Sequence, residues 1–233
     1  FAERHSFPSR ITALGAFFCL TVAMHSTAES AERIAHALLA PYTFERPTGD
    51  VILDRSGTGD PLNLRIEKPQ GSTFRGGRLI VTSSVKISSA EPARKIVAAV
   101  KQSNALTIEA WVKPQDTRQA GPARIVSLSA DPGQRNFTLG QDAGRYDVRL
   151  RTTSTDGNGI PSTASPEASL RTELTHVVFA FDSKGSARIY LNGKESATKP
   201  AAGQLSNWSD NFRLSLVNEL TGEKILREDR IQN

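Results

Sequence analysis

The chain has few cysteines and histidines, the residues that form disulfides and zinc sites. It contains one cysteine, Cys19, in 233 residues, so no disulfide can form within it. The fold must therefore be held by a hydrophobic core, which a chain of this length can supply. The CxxC and HExxH patterns of zinc sites are absent from the sequence. A disulfide-stapled scaffold and a zinc centre of either pattern are excluded.

Blocks of one charge sign are also missing. The formal net charge is +5, but the basic residues are interspersed with acidic ones, and no basic stretch is interleaved with aromatic residues. Nucleic-acid binding proteins carry a clustered basic surface, and this sequence shows none. We expect no nucleic-acid partner.

One long apolar run lies near the start of the sequence, at residues 11–24. Two arginines precede it, and small residues ending at Ala28 follow it, which is the pattern of a secretory signal peptide. The run is shorter than the roughly 20 residues of a permanent membrane anchor. We predict a signal peptide at residues 1–28, a domain at residues 29–233, and export to the periplasm, cell surface or extracellular space. A buried helix of the mature protein is the alternative.

The rest of the sequence indicates short strands separated by turn residues. Apolar and polar residues alternate in several segments, which is typical of half-buried strands. We predict strands at residues 41–46, 50–54, 62–66, 77–82, 105–113, 145–151, 176–182, 187–191 and 212–216. Asn192-Gly193 favours the positive φ angles of a tight hairpin turn. Short strands at this spacing predict an antiparallel sandwich.

One helix is predicted between the strands. Ser88 and Glu91 have the spacing of a capping box. Asn104 is the predicted end, about three turns later. One face at helical spacing carries apolar residues, namely Ala93, Ile96, Val97 and Val100.

Several motifs together resemble a known family. Residues 107–114 (TIEAWVKP) resemble a strand of bacterial laminin-G-like domains in the concanavalin A-like lectin/glucanase superfamily. Residues 42–57 are similar to the opening strand and turn of that family, and residues 175–193 to two of its paired strands. The resemblance covers roughly residues 35–220, and it implies an all-β, antiparallel two-sheet jelly roll with one short helix.

The end of the chain departs from the family pattern. Residues 223–233 match the closing strand of the family poorly. That strand pairs with the first one in the family, so its loss would leave an unpaired edge. We expect either that residues 225–231 substitute for it or that the closing strand is missing.

The carboxylates do not follow the catalytic pattern of hydrolases with this fold. Those enzymes use two carboxylates on one strand face, in an E-x-D-x-E pattern that this sequence lacks. Glu109 is followed on its face by Trp111, and Asp147 is flanked by arginines that should lower its pKa. His176 has no partner at ligand spacing and suits a structural strand end. We predict that the chain is not an enzyme, and a divergent glycan hydrolase is the least supported alternative.

Two loops offer oxygen atoms to calcium, as loops of laminin-G-like domains often do. One contains Asp54, Ser56 and Asp60, and the other contains Asp156 and Asn158. Calcium takes six to eight oxygens, of which each loop supplies two or three from side chains. The alternative is that these residues only form turns.

Arginines and aromatic residues are the candidates for ligand binding. Five arginines fall on the non-core sides of predicted strands: Arg145, Arg149, Arg151, Arg188 and Arg213. On one sheet they would form a basic surface for an acidic polysaccharide or another anionic partner, whereas the alternative is an ordinary solvated face. Tyr190 and Trp208 could stack on a sugar ring, although Trp208 suits a core edge equally well.

These features favour a non-catalytic, exported recognition module. Its partner would be a glycan or an extracellular protein. The alternative is a structural spacer of a surface protein, with no ligand of its own.

Overall fold

The structure is a computed structural model that describes residues 37–45, 49–218 and 220. The predicted signal peptide at residues 1–28 and the candidate closing segment at residues 225–231 lie outside the described residues. The domain boundary at residue 29 lies outside them too and stays a prediction.

The described residues form mostly short strands. The strands are β1 Val51–Ile52, β2 Leu64–Glu67, β3 Ser72–Arg75, β4 Arg78–Val81, β5 Lys86–Ser89, β6 Leu106–Val112, β7 Ala123–Ser129, β8 Arg135–Asp142, β9 Arg145–Leu150, β10 Thr163–Ala164, β11 Thr175–Phe181, β12 Ser186–Leu191, β13 Lys194–Pro200 and β14 Arg213–Leu216. The helix α1 spans Arg94–Ser103, and 3-10 turns lie at Pro69–Gly71 and Leu205–Asn207. No helix in these ranges is long and apolar enough to cross a membrane.

The strands pair antiparallel in three sheets. The larger sheet has eight strands in the order β1-β2-β5-β14-β7-β8-β9-β10, and the smaller sheet has four in the order β13-β12-β11-β6. The strands β3 and β4 form a separate hairpin. The all-β, antiparallel sandwich with one helix is therefore confirmed.

The core takes one face from each of the two larger sheets. On β9, Tyr146 and Val148 are buried, and on β11, Val177 and Phe179 are buried in the same hydrophobic cluster. Successive side chains on a strand point to opposite faces, so the intervening residues lie on the outer faces of the sandwich. Alternation in the sequence predicted these inner faces correctly.

The hairpin between β12 and β13 closes with the predicted turn. Asn192 and Gly193 have φ angles of 50° and 77°, both in the left-handed region. Two consecutive residues of positive φ match the twist of a two-residue hairpin, which explains the preference for Asn-Gly.

The predicted helix exists, but its predicted cap is wrong. Ser88 lies in β5, and the N-cap is Ala93, which makes no capping hydrogen bond through its side chain. Ser89 Oγ instead donates to the Glu91 carbonyl at 2.7 Å. The helix ends at Asn104 as predicted, with a φ of 48°, and its predicted apolar face is buried.

The opening of the domain is less regular than predicted. Residues 41–45 form no strand, and only Val51–Ile52 of the expected strand at residues 50–54 pairs, with β2. Tyr42 anchors this segment by donating from its hydroxyl to the Leu62 carbonyl at 2.6 Å.

Candidate functional site

The outer face of the smaller sheet carries a group of exposed and half-buried side chains. In the strand registers, Trp111 pairs with His176, Glu109 with Val178, and Val178 with Tyr190. Paired residues share a face, and the alternate residues of these strands are in the core. These five residues therefore lie together on the solvent side, and we call them the Trp111 face.

Trp111 is the most exposed large hydrophobic side chain among the described residues, at 61%. Its indole stacks on the imidazole of His176, with ring centroids 4.6 Å apart and an interplanar angle of 17°. The contact orients the indole against the neighbouring strand while much of its surface stays in solvent. Large aromatic side chains are normally kept from water, so a braced and exposed indole indicates a contact surface.

His176 is held in place by its other neighbours. Its Nε2 lies 3.1 Å from Oε1 of Glu109, and both side chains are partly buried. Its backbone N–H donates to Oδ1 of Asn192 at 2.9 Å, and its carbonyl accepts from the Asn192 N–H at 2.8 Å. His176 thus has the structural role expected of it, and it also supports Trp111.

Arg188 lies further along the same outer face. Its Nη1 donates to Oδ2 of Asp182 at 2.9 Å, and its Nε lies 3.9 Å from a carboxylate oxygen of Glu195. Hydrogen bonds from the Ser186 backbone amide and from Arg188 lower the pKa of Asp182. Arg188 is therefore neutralised by its neighbours. Tyr190 lies beside Glu195 in the register.

The structure does not bring the five predicted arginines together. Arg145 and Arg149 lie on β9 of the larger sheet, whereas Arg188 lies on β12 of the smaller sheet. Arg213 shares the larger sheet but is separated from β9 by two strands, and Arg151 follows the end of β9. The predicted common basic surface is wrong, because the two sheets present their outer faces on opposite sides of the core.

Acidic residues also balance the arginines of β9. Arg145 lies 2.7 Å from Glu167 and 3.6 Å from Asp142, and Arg149 lies 3.6 Å from Asp147. A polyanion would have to compete with these carboxylates. The contacts match the alternative of an ordinary solvated face more closely than an anion site.

Asp147 behaves differently from the prediction. Burial of this carboxyl raises its pKa, and the opposing effects of a hydrogen bond with Ser162 and of the nearby Arg149 are smaller. The predicted lowering of this pKa is wrong, because the flanking arginines can be read from the sequence whereas the burial of Asp147 cannot.

Trp208 lies in the core and is only 2% exposed. Its ring lies 5.9 Å from that of Phe137, and its Nε1 donates to the Arg151 carbonyl at 2.8 Å. A buried indole has no free face for a sugar, so the suggested stacking role of Trp208 is wrong.

The first candidate calcium loop already holds an internal cation. The ammonium of Lys95 donates to Asp54 Oδ2, to Ser56 Oγ at 3.1 Å and to the Thr58 carbonyl at 2.9 Å. Burial alone would raise the pKa of Asp54, but hydrogen bonds from Lys95 and from the Leu62 and Ser56 amides outweigh it and hold the pKa below its ordinary value. The oxygen atoms proposed for calcium thus solvate a lysine, and they fit a bound metal poorly.

The remaining candidate ligands show no shared arrangement. Asp60 is exposed in the first loop. In the second loop, Asp156 Oδ1 accepts the backbone N–H groups of Asn158 and Ile160, each at 2.9 Å, while Asn158 Oδ1 accepts from Arg149 at 3.1 Å. These contacts form a turn. Within the described ranges, no three His, Cys, Asp or Glu side chains cluster as metal ligands would.

A family model matches the greater part of this chain. The laminin G model described as the concanavalin A-like lectin/glucanases superfamily matches residues 82–223, which is more than half of the sequence. The chain belongs to this family. The resemblance of residues 107–114 and 175–193 to this family is thereby confirmed, whereas residues 42–57 lie outside the matched range. No curated protein matches the sequence.

Solved structures of similar fold include botulinum neurotoxin binding domains. The serotype D/C botulinum neurotoxin binding domain matches with a TM-score of 0.51 and 15% identity, covering 73% of this chain and 41% of that one. The serotype C1 domain matches with a TM-score of 0.52 and 14% identity, covering 78% and 43%. A type C toxin structure, described as depending on two ganglioside molecules for cell entry, has a TM-score of 0.50 and 15% identity, covering 79% and 44%. The chain spans less than half the length of these neighbours, and the likeness is one of fold.

Proposed function

We propose that this chain is a non-catalytic recognition module that binds carbohydrate through the Trp111 face. The observation that carries the proposal is the indole of Trp111, which is 61% exposed and braced by His176. A pre-oriented aromatic ring loses little side-chain entropy on binding, and it buries a large apolar area against the C–H face of a sugar.

Polar groups around the indole suit the hydroxyl groups of a sugar. Glu109 and His176 lie beside Trp111, and the Tyr190 hydroxyl lies on the same face two strands away. Few but fixed polar groups next to an apolar surface are the usual composition of a ligand site, in which the apolar contact gives affinity and the polar groups give orientation.

Two carboxylates of the described chain support a binding role rather than catalysis, because Glu109 contacts His176 and Asp54 is bonded to Lys95. A glycosidase needs two carboxyl groups flanking one scissile bond. The neurotoxin binding domains add support at the level of fold, because a similar fold serves the ganglioside-dependent toxin.

We also propose that the module acts outside the cytoplasm. The pattern of residues 1–28 supports export. N-terminal sequencing of the protein recovered from the exported fraction should then find Glu29 first. Recovery with residues 1–28 still attached would contradict the cleavage.

The test of binding is a glycan array probed with the wild type and with Trp111→Ala, with and without calcium. Ile160→Ala is the matched control, because Ile160 is another exposed apolar residue, at 45%, outside the Trp111 face. We expect glycan signals that survive Ile160→Ala, vanish in Trp111→Ala and do not need calcium. Signals unaffected by Trp111→Ala would contradict the proposed site. A complete lack of signal would favour the structural spacer.

A further inference from the structure

We infer that the Trp111 face takes an internal stretch of an extended, uncharged polysaccharide. The inference rests on the proposed function and names the class of ligand and how it lies on the site. Three features of the face carry it: two separated aromatic rings, an open surface and the balance of charge.

The two aromatic residues of the face are too far apart for one sugar ring. Trp111 lies on β6 and Tyr190 on β12, with β11 between them. Neighbouring strands are about 4.8 Å apart, so the two positions are about 10 Å apart across the sheet. They are also offset by two residues, because Trp111 pairs with His176 whereas Tyr190 pairs with Val178. A ligand that contacts both rings must be an oligosaccharide lying obliquely over β11.

The face is open on the side where a ligand would approach. It belongs to the outer surface of four antiparallel strands, and two cavities of the described chain lie elsewhere. One, of about 190 Å³, is lined by residues that include Thr155 and Lys199, and the other by residues that include Glu167 and Arg171. Recognition of a chain end needs a wall that closes around the terminal sugar. An open sheet instead allows the ligand to continue past both aromatic residues.

The charges on the face disfavour acidic sugars. Within these four strands, Arg188 is the one Arg or Lys that the registers place on the outer face, and Asp182 and Glu195 accept its charge. Lys113 follows the last residue of β6 and is exposed at the edge of the face. Glu109 adds a carboxylate beside Trp111. A uronic acid or sulfate group would meet carboxylates first, whereas neutral hydroxyl groups can donate hydrogen bonds to them.

The first part of the test compares neutral with acidic polymers. Affinity gel electrophoresis with hydroxyethyl cellulose, arabinoxylan, galactomannan and a soluble β-1,3-glucan is run beside alginate, pectate and heparin. We expect at least one neutral polymer to retard the wild type, and the acidic polymers to have no effect. Stronger retardation by an acidic polymer would overturn the inference.

The second part measures the length of ligand that the site recognises. Isothermal titration with oligosaccharides of the neutral polymer, from one to six sugars, should show affinity rising with length and reaching a plateau once both rings are covered. Tyr190→Ala should weaken binding of the longest oligosaccharide about tenfold, the size of one lost aromatic contact, and leave the shortest unaffected. Tyr190→Phe, which keeps the ring, is the matched control and should change affinity much less.

The outcomes separate this inference from the proposed function. If Trp111→Ala abolishes binding but Tyr190→Ala has no effect, the module binds carbohydrate and the extended mode is wrong. Equal affinity for one sugar and for six would also show that the extended binding mode is wrong. If no polymer binds, or binding ignores Trp111→Ala, both the proposed function and this inference are wrong.

Discussion

Replacing Lys95 with methionine should destabilise the domain strongly, because it removes the cation from a buried carboxylate. The Asp54 side chain is 0% exposed and that of Lys95 is 14% exposed. Methionine keeps the length and the apolar character of the lysine stem, so the substitution removes mainly the charge and its hydrogen bonds.

The contacts of the pair set the size of the effect. Breaking a buried ion pair by removing one partner costs about 3–5 kcal/mol, since the remaining charge is left uncompensated. Asp54 would keep the backbone amides of Ser56 and Leu62 as donors. We therefore expect the lower end of that range, about 3 kcal/mol at pH 7.

Urea unfolding measured by circular dichroism tests this value. Lys101→Met is the matched control, because Lys101 lies on the same helix and pairs with Asp210 at 2.9 Å, with side chains 30% and 59% exposed. An exposed pair of this kind contributes about 0–1 kcal/mol. The two variants should therefore differ by about 2 kcal/mol or more.

The effect of Lys95→Met should also depend on pH. The folded-state pKa of Asp54 is below the ordinary value of 3.8, so its contribution is complete above that value and is lost as the pH falls through the folded-state pKa. The difference in free energy of unfolding between the wild type and Lys95→Met should be largest at pH 7 and should shrink in acid. A loss no larger than that of Lys101→Met, or a gap that widens in acid, would refute the internal-cation account.

Three further predictions concern stability. Because burial raises the pKa of Asp147, ionisation of this carboxyl costs stability at pH values above its unfolded-state pKa of 3.8. Asp147→Asn should therefore raise the midpoint of urea unfolding at pH 7 and lose this advantage near pH 3. A lower midpoint at pH 7 would contradict this prediction. Trp208→Phe removes core volume and the hydrogen bond to the Arg151 carbonyl, so calorimetry should show that the free energy of unfolding falls by about 2 kcal/mol. The control Trp111→Phe should lower it by less than about 0.5 kcal/mol. Equal losses would contradict the burial of Trp208. Gly193→Ala places a Cβ in open space at a φ of 77°, so its effect should come from the backbone conformation alone. Thermal unfolding should show a stability loss of about 1–2 kcal/mol. An unchanged stability would contradict the turn geometry.

Strands with one buried and one solvent-exposed face could be predicted from the sequence. In β2 (LRIE), apolar residues alternate with charged ones and burial follows that period, and burial alternates along β11 as well. The strand β8 escaped prediction because nearly all of it is buried, including polar residues whose partners come from elsewhere. Asn136, for example, exchanges hydrogen bonds with the backbone of Ser209, and Gly140 allows an approach to Ala123 that a Cβ would block at 2.6 Å. Such contacts leave no local period to detect.

The candidate site was only half visible in the sequence. Alternation along β6 put Trp111 on the same face as Glu109, but Trp111 was not among the predicted site residues. Its stacking partner His176 comes from β11, and that pairing depends on sheet order. Trp208 follows a 3-10 turn, where no strand or helix periodicity predicts whether the side chain points into the core. Helical spacing gave the buried face of α1, yet the contact of Lys95 with the loop at residues 54–58 depends on tertiary packing.

Protection of Trp111 from acrylamide quenching shows directly whether a polysaccharide covers the indole. The chain has two tryptophans, of which Trp111 is 61% exposed and Trp208 is 2% exposed, so quenchable fluorescence should come from Trp111. We expect a saturating neutral polysaccharide to remove most of this quenching, and Trp111→Phe to show little quenching with or without it. Binding of the polysaccharide with no protection of Trp111 would mean that the ligand lies elsewhere than on the Trp111 face.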